Sequence, residues 1–205
     1  LSATEGAFNV PLKCSPEEQK HFVDPAMAEA NRSNFPAAID IVTNGLNAHP
    51  ASEGLLLLKA YFGYKLAENM SNEQVSLPRA IESIGDGVLM VDGGATTAML
   101  GRFQEIIRIL GESGAAMDEL LQVNPGNQEV LGFKSYIERK LQKLGQESEN
   151  MRLTFSNSHS VAGGFCVGCR QGINFDTQKV VFRRGSVAEM EVWHFPCFQK
   201  LGKKN

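Results

Sequence analysis

Apolar positions recur along most of this chain at helical spacing. Phe35, Ala38, Ile39, Val42 and Leu46 step by 3, 1, 3 and 4 and form one face of a helix. Residues 52–68 carry apolar side chains around much of the circumference, which predicts a helix at the centre of its bundle. Leu77-Pro78 and the stretch around Ala80, Ile81 and Ile84 predict a third helix. Leu100, Phe103, Ile106, Ile107 and Leu110 predict a fourth, and Met117, Leu120 and Leu121 a short fifth. Val130, Phe133, Ile137, Leu141 and Leu144 step by 3, 4, 4 and 3 and predict a sixth. The helical region opens at Ser15-Pro16-Glu17-Glu18: a Ser cap, Pro at the first helical position, then acids in the first turn. Asp92-Gly93-Gly94 and Asn124-Pro125-Gly126-Asn127 are turn signals between helices.

Past residue 150 the period changes from helical to alternating. Arg152-Leu153-Thr154-Phe155 reads as a strand, and residues 156–164 as a Ser-, Gly- and Asn-rich loop. Lys179-Val180-Val181-Phe182 and Glu189-Met190-Glu191-Val192-Trp193 read as two strands of a hairpin, followed by a short helix over 198–201. The division expected is an arm over residues 1–14, a helical-repeat-like domain over 15–144, a polar linker over 145–150 and a small domain over 151–205. The fold class is mainly α, helical hairpins followed by a small α+β unit.

Candidate chemistry concentrates in the small domain. Cys166-x₂-Cys169 is followed, after 24 residues, by His194-x₂-Cys197. Three thiolates and one imidazole at this spacing fit a tetrahedral Zn²⁺ site. A redox C-x-x-C lacks its surrounding βαβ pattern, and a disulfide would leave His194 and Cys197 unexplained. Gly168 sits in the turn between the first two ligands, where freedom from Cβ strain is favoured. With so few residues available for a core, metal should supply much of this domain's folding energy. The remaining thiol, Cys14, reads as inert.

Two segments carry resemblances. Ala38, Gly45 and Pro50 match the second helix of a tetratricopeptide repeat, which wants a small residue seven after its Ala and Pro just past its end; Leu121-Gln122-Val123-Asn124-Pro125 resembles another such ending. A plain helical bundle gives the same periodicity. Cys166-x₂-Cys169 with Trp193-His194-Phe195-Pro196-Cys197-Phe198-Gln199-Lys200-Leu201-Gly202 resembles the zinc finger of poly(ADP-ribose) polymerases, as do Ile173 and Arg152-x-x-Phe155. That resemblance covers about a quarter of the chain. It implies a treble-clef finger that recognises DNA breaks, with Lys179 near the phosphate-contacting position. Arg170, Arg183 and Arg184 are added candidates for backbone contact, and Val187 and Met190 for base stacking. The stretch between the ligand pairs is shorter here than in that family, at the expense of its stacking loop. A LIM domain shares the pattern but needs a second ligand set downstream, and no Cys or His follows Cys197.

Composition then narrows the classes. The chain has 205 residues, 42% hydrophobic and 21% charged, as a globular protein does. No apolar run approaches the ~20 residues that span a bilayer, and no secretory signal is visible. A chain beginning at Leu1 fits a processed form, an organelle import product included, or a trimmed one. The net charge of −3 divides unevenly: residues 1–150 hold 12 Lys+Arg and 20 Asp+Glu, residues 151–205 hold 8 and 3. An acidic front and a basic tail predict two units with different partners. No catalytic signature appears, and four protein ligands would close a zinc site to water. The expectation is a non-enzymatic zinc protein. Its helical domain binds protein and its finger binds nucleic acid. Alternatively it is a structural or accessory subunit of a large complex, an organellar one included, in which zinc only stabilises the fold.

Overall fold

The computed structural model describes residues 12–74, 81–85, 88–161, 164–184 and 190–201. The chain divides into two compact units that interleave along the sequence: Leu1–Asn72 with Glu105–Gly145, and Glu73–Gln104 with Gln146–Asn205.

The first unit is helical. It opens at the expected place with a reciprocal capping box. Ser15 Oγ accepts from Glu18 N–H at 3.2 Å, and the Glu18 carboxylate accepts from Ser15 N–H at 2.6 Å. A single turn, α1 (Pro16–Glu18), leads through a π-helical turn (Gln19–Val23) into α2 (Asp24–Asn31), α3 (Phe35–Ala48) and α4 (Glu53–Gln74). The unit also takes residues 105–123 of α5 (Gly93–Val123) and residues 128–145 of α6 (Gln128–Val161).

Helix α4 is central, as its all-round apolar pattern predicts. Leu55, Leu58 and Phe62 enter a cluster with Val23, Ala26, Ala38 and Val42. Leu56, Leu57, Ala60, Tyr64 and Ala67 enter a second cluster with Ile106, Ile109, Leu110, Met117, Leu120, Val130 and Ile137. Each fully buried Leu or Ile contributes roughly 1.5–3 kcal/mol, so both faces of α4 are strongly held. Small residues set the spacing. A Cβ on Gly45 would lie 2.8 Å from Phe22 Cγ and 2.9 Å from Leu55 Cδ1. A Cβ on Gly63 would strike Ser113 Oγ, and one on Gly54 would strike Cys14 Sγ.

The second unit is built on an antiparallel sheet in the order β1 (Ile81–Gly85), β2 (Val88–Asp92), β3 (Lys179–Arg184), β4 (Met190–His194), followed by α7 (Phe195–Leu201). One face buries Val91, Val180, Phe182 and Val192, against which Ile173 and Phe175 pack. The other buries Met90, Val181 and Trp193 beside Val167, Phe195, Cys197 and Phe198. The outer edge of β4 is partly used, because Val167 N–H donates to Val192 C=O at 2.9 Å.

Several expectations are corrected. Ile81 and Ile84 lie in strand β1, not in a third helix; Leu77, Pro78 and Ala80 lie outside the described residues. Antiparallel pairing of β1 with β2 overrides the helical reading of this short run, in which Ile84 stays exposed. The fourth and fifth helices are one, α5, because isolated Gly residues cost only about 1 kcal/mol each in a helix and Gly111 and Gly114 cause no clash. Residues 145–150 and Arg152–Phe155, read as linker and strand, are helical and continue α6. Gln146, Glu147 and Glu149 are good helix formers, and Arg152 grips Glu149 one turn back at 2.7 Å. Residues 73–104 belong with the small unit rather than the helical one.

Candidate metal centre

Three local structures deliver four donor groups to one point. Residues 165–172 form a knuckle, closed by a bridge between Phe165 and Gly172 and by Cys166 N–H donating to Gln171 C=O at 2.9 Å. This carries Cys166 and Cys169. His194 is the last residue of β4, and Cys197 lies in the first turn of α7. The ligand atoms of Cys166, Cys169, His194 and Cys197 all lie within 4.8 Å of one another. The edges of a tetrahedral set follow from the bond lengths as about 3.6–3.8 Å. The four donors therefore sit one small side-chain adjustment from a metal's coordination shell, and they could hold an ion.

Gly168 has a different reason from the one its turn suggested. Its φ is not in the left-handed region. A Cβ there would lie 2.8 Å from Trp193 Cζ3, 3.0 Å from Trp193 Cε3 and 3.2 Å from Cys197 Cβ. Glycine is needed because the knuckle lies flat on the indole. Arg170 takes the left-handed conformation instead, at φ 61°, while its N–H donates to Cys166 C=O at 2.8 Å. A non-glycine residue in this region carries roughly 1–2 kcal/mol of strain.

The sulfurs sit in contrasting surroundings. Cys166 is fully buried, Cys169 exposed and Cys197 half-buried. Burial pushes the Cys166 thiol up. Backbone N–H groups of His194, Cys169 and Gly168 outweigh it and bring it down to about 6. The His194 amide lies 3.3 Å from that sulfur. Burial pushes Cys197 up to about 11, reinforced by hydrogen bonding with Cys169 and Cys166. His194 Nδ1 lies 3.3 Å from Cys169 Sγ, and Nε2 lies 3.1 Å from Gln178 Oε1. The sequence reading did not single out Gln178. Its signal would have been the expectation that a ligating His needs a partner for its other nitrogen. In the helical unit, burial, with Glu18 adding to it, pushes the Cys14 thiol up to about 11.

Of the candidate nucleic-acid contacts, Lys179 and Arg183 share one face of β3 by strand alternation, and each stands opposite an acidic residue. Arg170 is exposed on the knuckle, and Lys179 and Arg183 are exposed on β3. In the sheet register Lys179 is directly opposite Asp92, and Arg183 directly opposite Glu191. The Lys179 ammonium sits 4.9 Å above the Phe195 ring. The side chain of Arg184 and the whole of Val187 lie outside the described residues; Met190 is 42% exposed. Counted over the compact unit, Glu73–Gln104 with Gln146–Asn205, there are 10 Lys+Arg and 9 Asp+Glu, a balance of +1. The basic tail is nearly neutralised by the segments that fold with it.

The chain is thus a mainly helical protein with a small strand-and-helix region that carries a Cys₃His cluster able to hold a metal. No helix among the described residues is long and apolar enough to cross a membrane. Among solved structures, the chain is similar to the first tetratricopeptide-repeat domain of the human RPAP3 protein, determined by NMR. The identity is 19% over 66% of this chain and 98% of that one, with a TM-score of 0.25, too low to carry an argument. No protein-family model matches, the poly(ADP-ribose) polymerase finger included, and no curated protein matches.

Proposed function

We propose that this is a non-enzymatic, zinc-stabilised interaction protein, in which the Cys₃His site holds a structural Zn²⁺ and the helical unit receives a partner polypeptide. The observation that carries the metal reading is the convergence of four protein donors, three of them sulfur, from three separate elements. Soft thiolates with one imidazole favour zinc, and four protein ligands leave no position for a reactive water. The measurement is metal content of the native chain by mass spectrometry: one zinc per chain is expected. An oxygen-seeking metal, or only three coordinating residues, would sink the structural reading.

A groove of about 460 Å³ in the helical unit supports the partner reading. Ile39, Leu66 and Ile109 are its apolar lining, and Gly63 and Ser113 line it where they pack closely together. Arg108, also in the lining, is held by Glu105 and Glu112. Lys59, a further lining residue, makes no ion pair among the described residues. The occupant this suits is a partner segment that sets an apolar side chain against Ile39, Leu66 and Ile109 and a carboxylate on Lys59. Stoichiometric co-purification that survives nuclease and is lost in Leu66→Arg and Lys59→Glu is the expected result. Recovery abolished by nuclease, together with low-salt binding to nicked duplex, would instead return the nucleic-acid reading. Lys179 and Arg183 would then be its contacts, and affinity would fall steeply with salt.

A further inference from the structure

We infer that Gln178 is a positioning residue that fixes His194 as an Nδ1 ligand; the inference rests on the metal reading above and deepens it. Two hydrogen bonds meet at one atom. Gln178 Oε1 accepts from the backbone N–H of Asn174 at 2.8 Å and lies 3.1 Å from His194 Nε2. A backbone N–H can only donate, so the side-chain atom at this junction is the amide oxygen, not the nitrogen. An amide oxygen can only accept, so His194 Nε2 carries a proton and donates it. In the neutral ring the lone pair is then on Nδ1, the nitrogen that faces Cys169 Sγ at 3.3 Å. Selection of the ligand atom follows from the hydrogen bond made by the other nitrogen.

The residue that makes this selection is itself held on both sides. Gln178 N–H donates to Asn174 C=O at 2.9 Å, and Gln178 C=O accepts from Gly93 N–H at 3.1 Å. The turn around it is tied further, because Asp176 N–H donates to Asn174 Oδ1 at 3.1 Å. The close approach of this turn to the start of α5 requires Gly93: a Cβ there would strike Phe175 C=O. The imidazole is therefore oriented by a constrained loop from outside both ligand pairs, six residues past the knuckle.

The test uses the full chain and two metals. Zinc affinity is measured by competition with a chromophoric chelator, and Co²⁺ substitution reports the ligand field. Gln178→Ala should weaken zinc binding 10–100-fold, whereas Gln178→Glu, which keeps the acceptor oxygen, should retain it. The ring nitrogens of His194 in the zinc-loaded wild type, read by ¹⁵N NMR, should show Nδ1 bound to metal and Nε2 protonated. This last readout holds even if Gln178→Ala fails to fold. Metal on Nε2, or equal zinc affinity in wild type and Gln178→Ala, would overturn the assignment while leaving the zinc site intact. A wild type that takes up no stoichiometric zinc would overturn the metal reading itself.

Discussion

The two units reach stability by different means. Among the described residues, the helical unit buries two clusters, of thirteen and seven apolar side chains, on the two sides of α4. The sheet unit buries clusters of four and three, one on each face. A cluster of that size cannot offset the conformational entropy of ordering the segments around it. The Cys₃His site stands where the core is thin: Trp193, Val167 and Cys197 belong to the same packing group. Where apolar burial is plentiful, among the described residues, no metal-ligand cluster accompanies it, and where it is scarce four donors are brought to one point.

The largest effect expected follows from that contrast. Cys166→Ser, or chelation of zinc, should melt β3, β4 and α7, because structural zinc contributes of order 10 kcal/mol in small domains. Amide resonances of 164–201 should collapse while α3 and α4 keep theirs. A sheet that survives chelation unchanged would break the comparison. Next, Phe62→Ala should cost about 3–5 kcal/mol in denaturant unfolding of the helical unit, with zinc affinity unaltered. Gly45→Ala should cost about 1–3 kcal/mol there, by forcing Phe22 and Leu55 apart. In the sheet unit the sign reverses at Arg170: Arg170→Gly should stabilise the zinc-loaded form by about 1 kcal/mol, through relief of its left-handed strain.

The smallest effect is at the chain's helical start. Glu18 is held below its ordinary 4.5, chiefly by the Ser15 backbone N–H, against the cost of burial. A carboxyl depressed on folding adds stability that is fully present above the unfolded value and fades as pH falls through the folded one. Stability of the wild type should therefore drop below about pH 4.5 relative to Glu18→Gln, which lacks that titration. Glu18→Gln itself should cost about 1 kcal/mol at neutral pH.

Legibility in the sequence follows the same division. Helix α4's central place, the face of α3 from Phe35 to Leu46, the face of α6 from Val130 to Leu144 and the Ser15 cap were all readable, because helix periodicity and capping are local. The β3–β4 hairpin and the four donors were readable from alternation and spacing. The strands β1 and β2 were missed, although Asp86-Gly87 stands between them and is a hairpin signal when apolar residues flank it. What hid them is that β2 pairs with β3 from the far end of the chain, and no local pattern reports a remote partner. The tail's positive charge misled for a related reason: Glu73, Glu82, Asp86, Asp92, Glu147 and Glu149 belong to its unit but lie outside it in sequence.

The interleaving of the two units has a consequence for synthesis. Strand β2 leaves the ribosome about 90 residues before β3, roughly 5–20 s at typical elongation rates. During that interval the nascent β1–β2 hairpin has Leu89, Met90 and Val91 but no third strand beside them. An isolated hairpin is marginal in water, and its open edge is a template for pairing with other chains. A metal at the four donors cannot shorten the wait, since His194 and Cys197 follow β3 in the chain. The long-range pairing of β2 with β3 thus makes the arrival of β3 the step on which the sheet unit's folding depends.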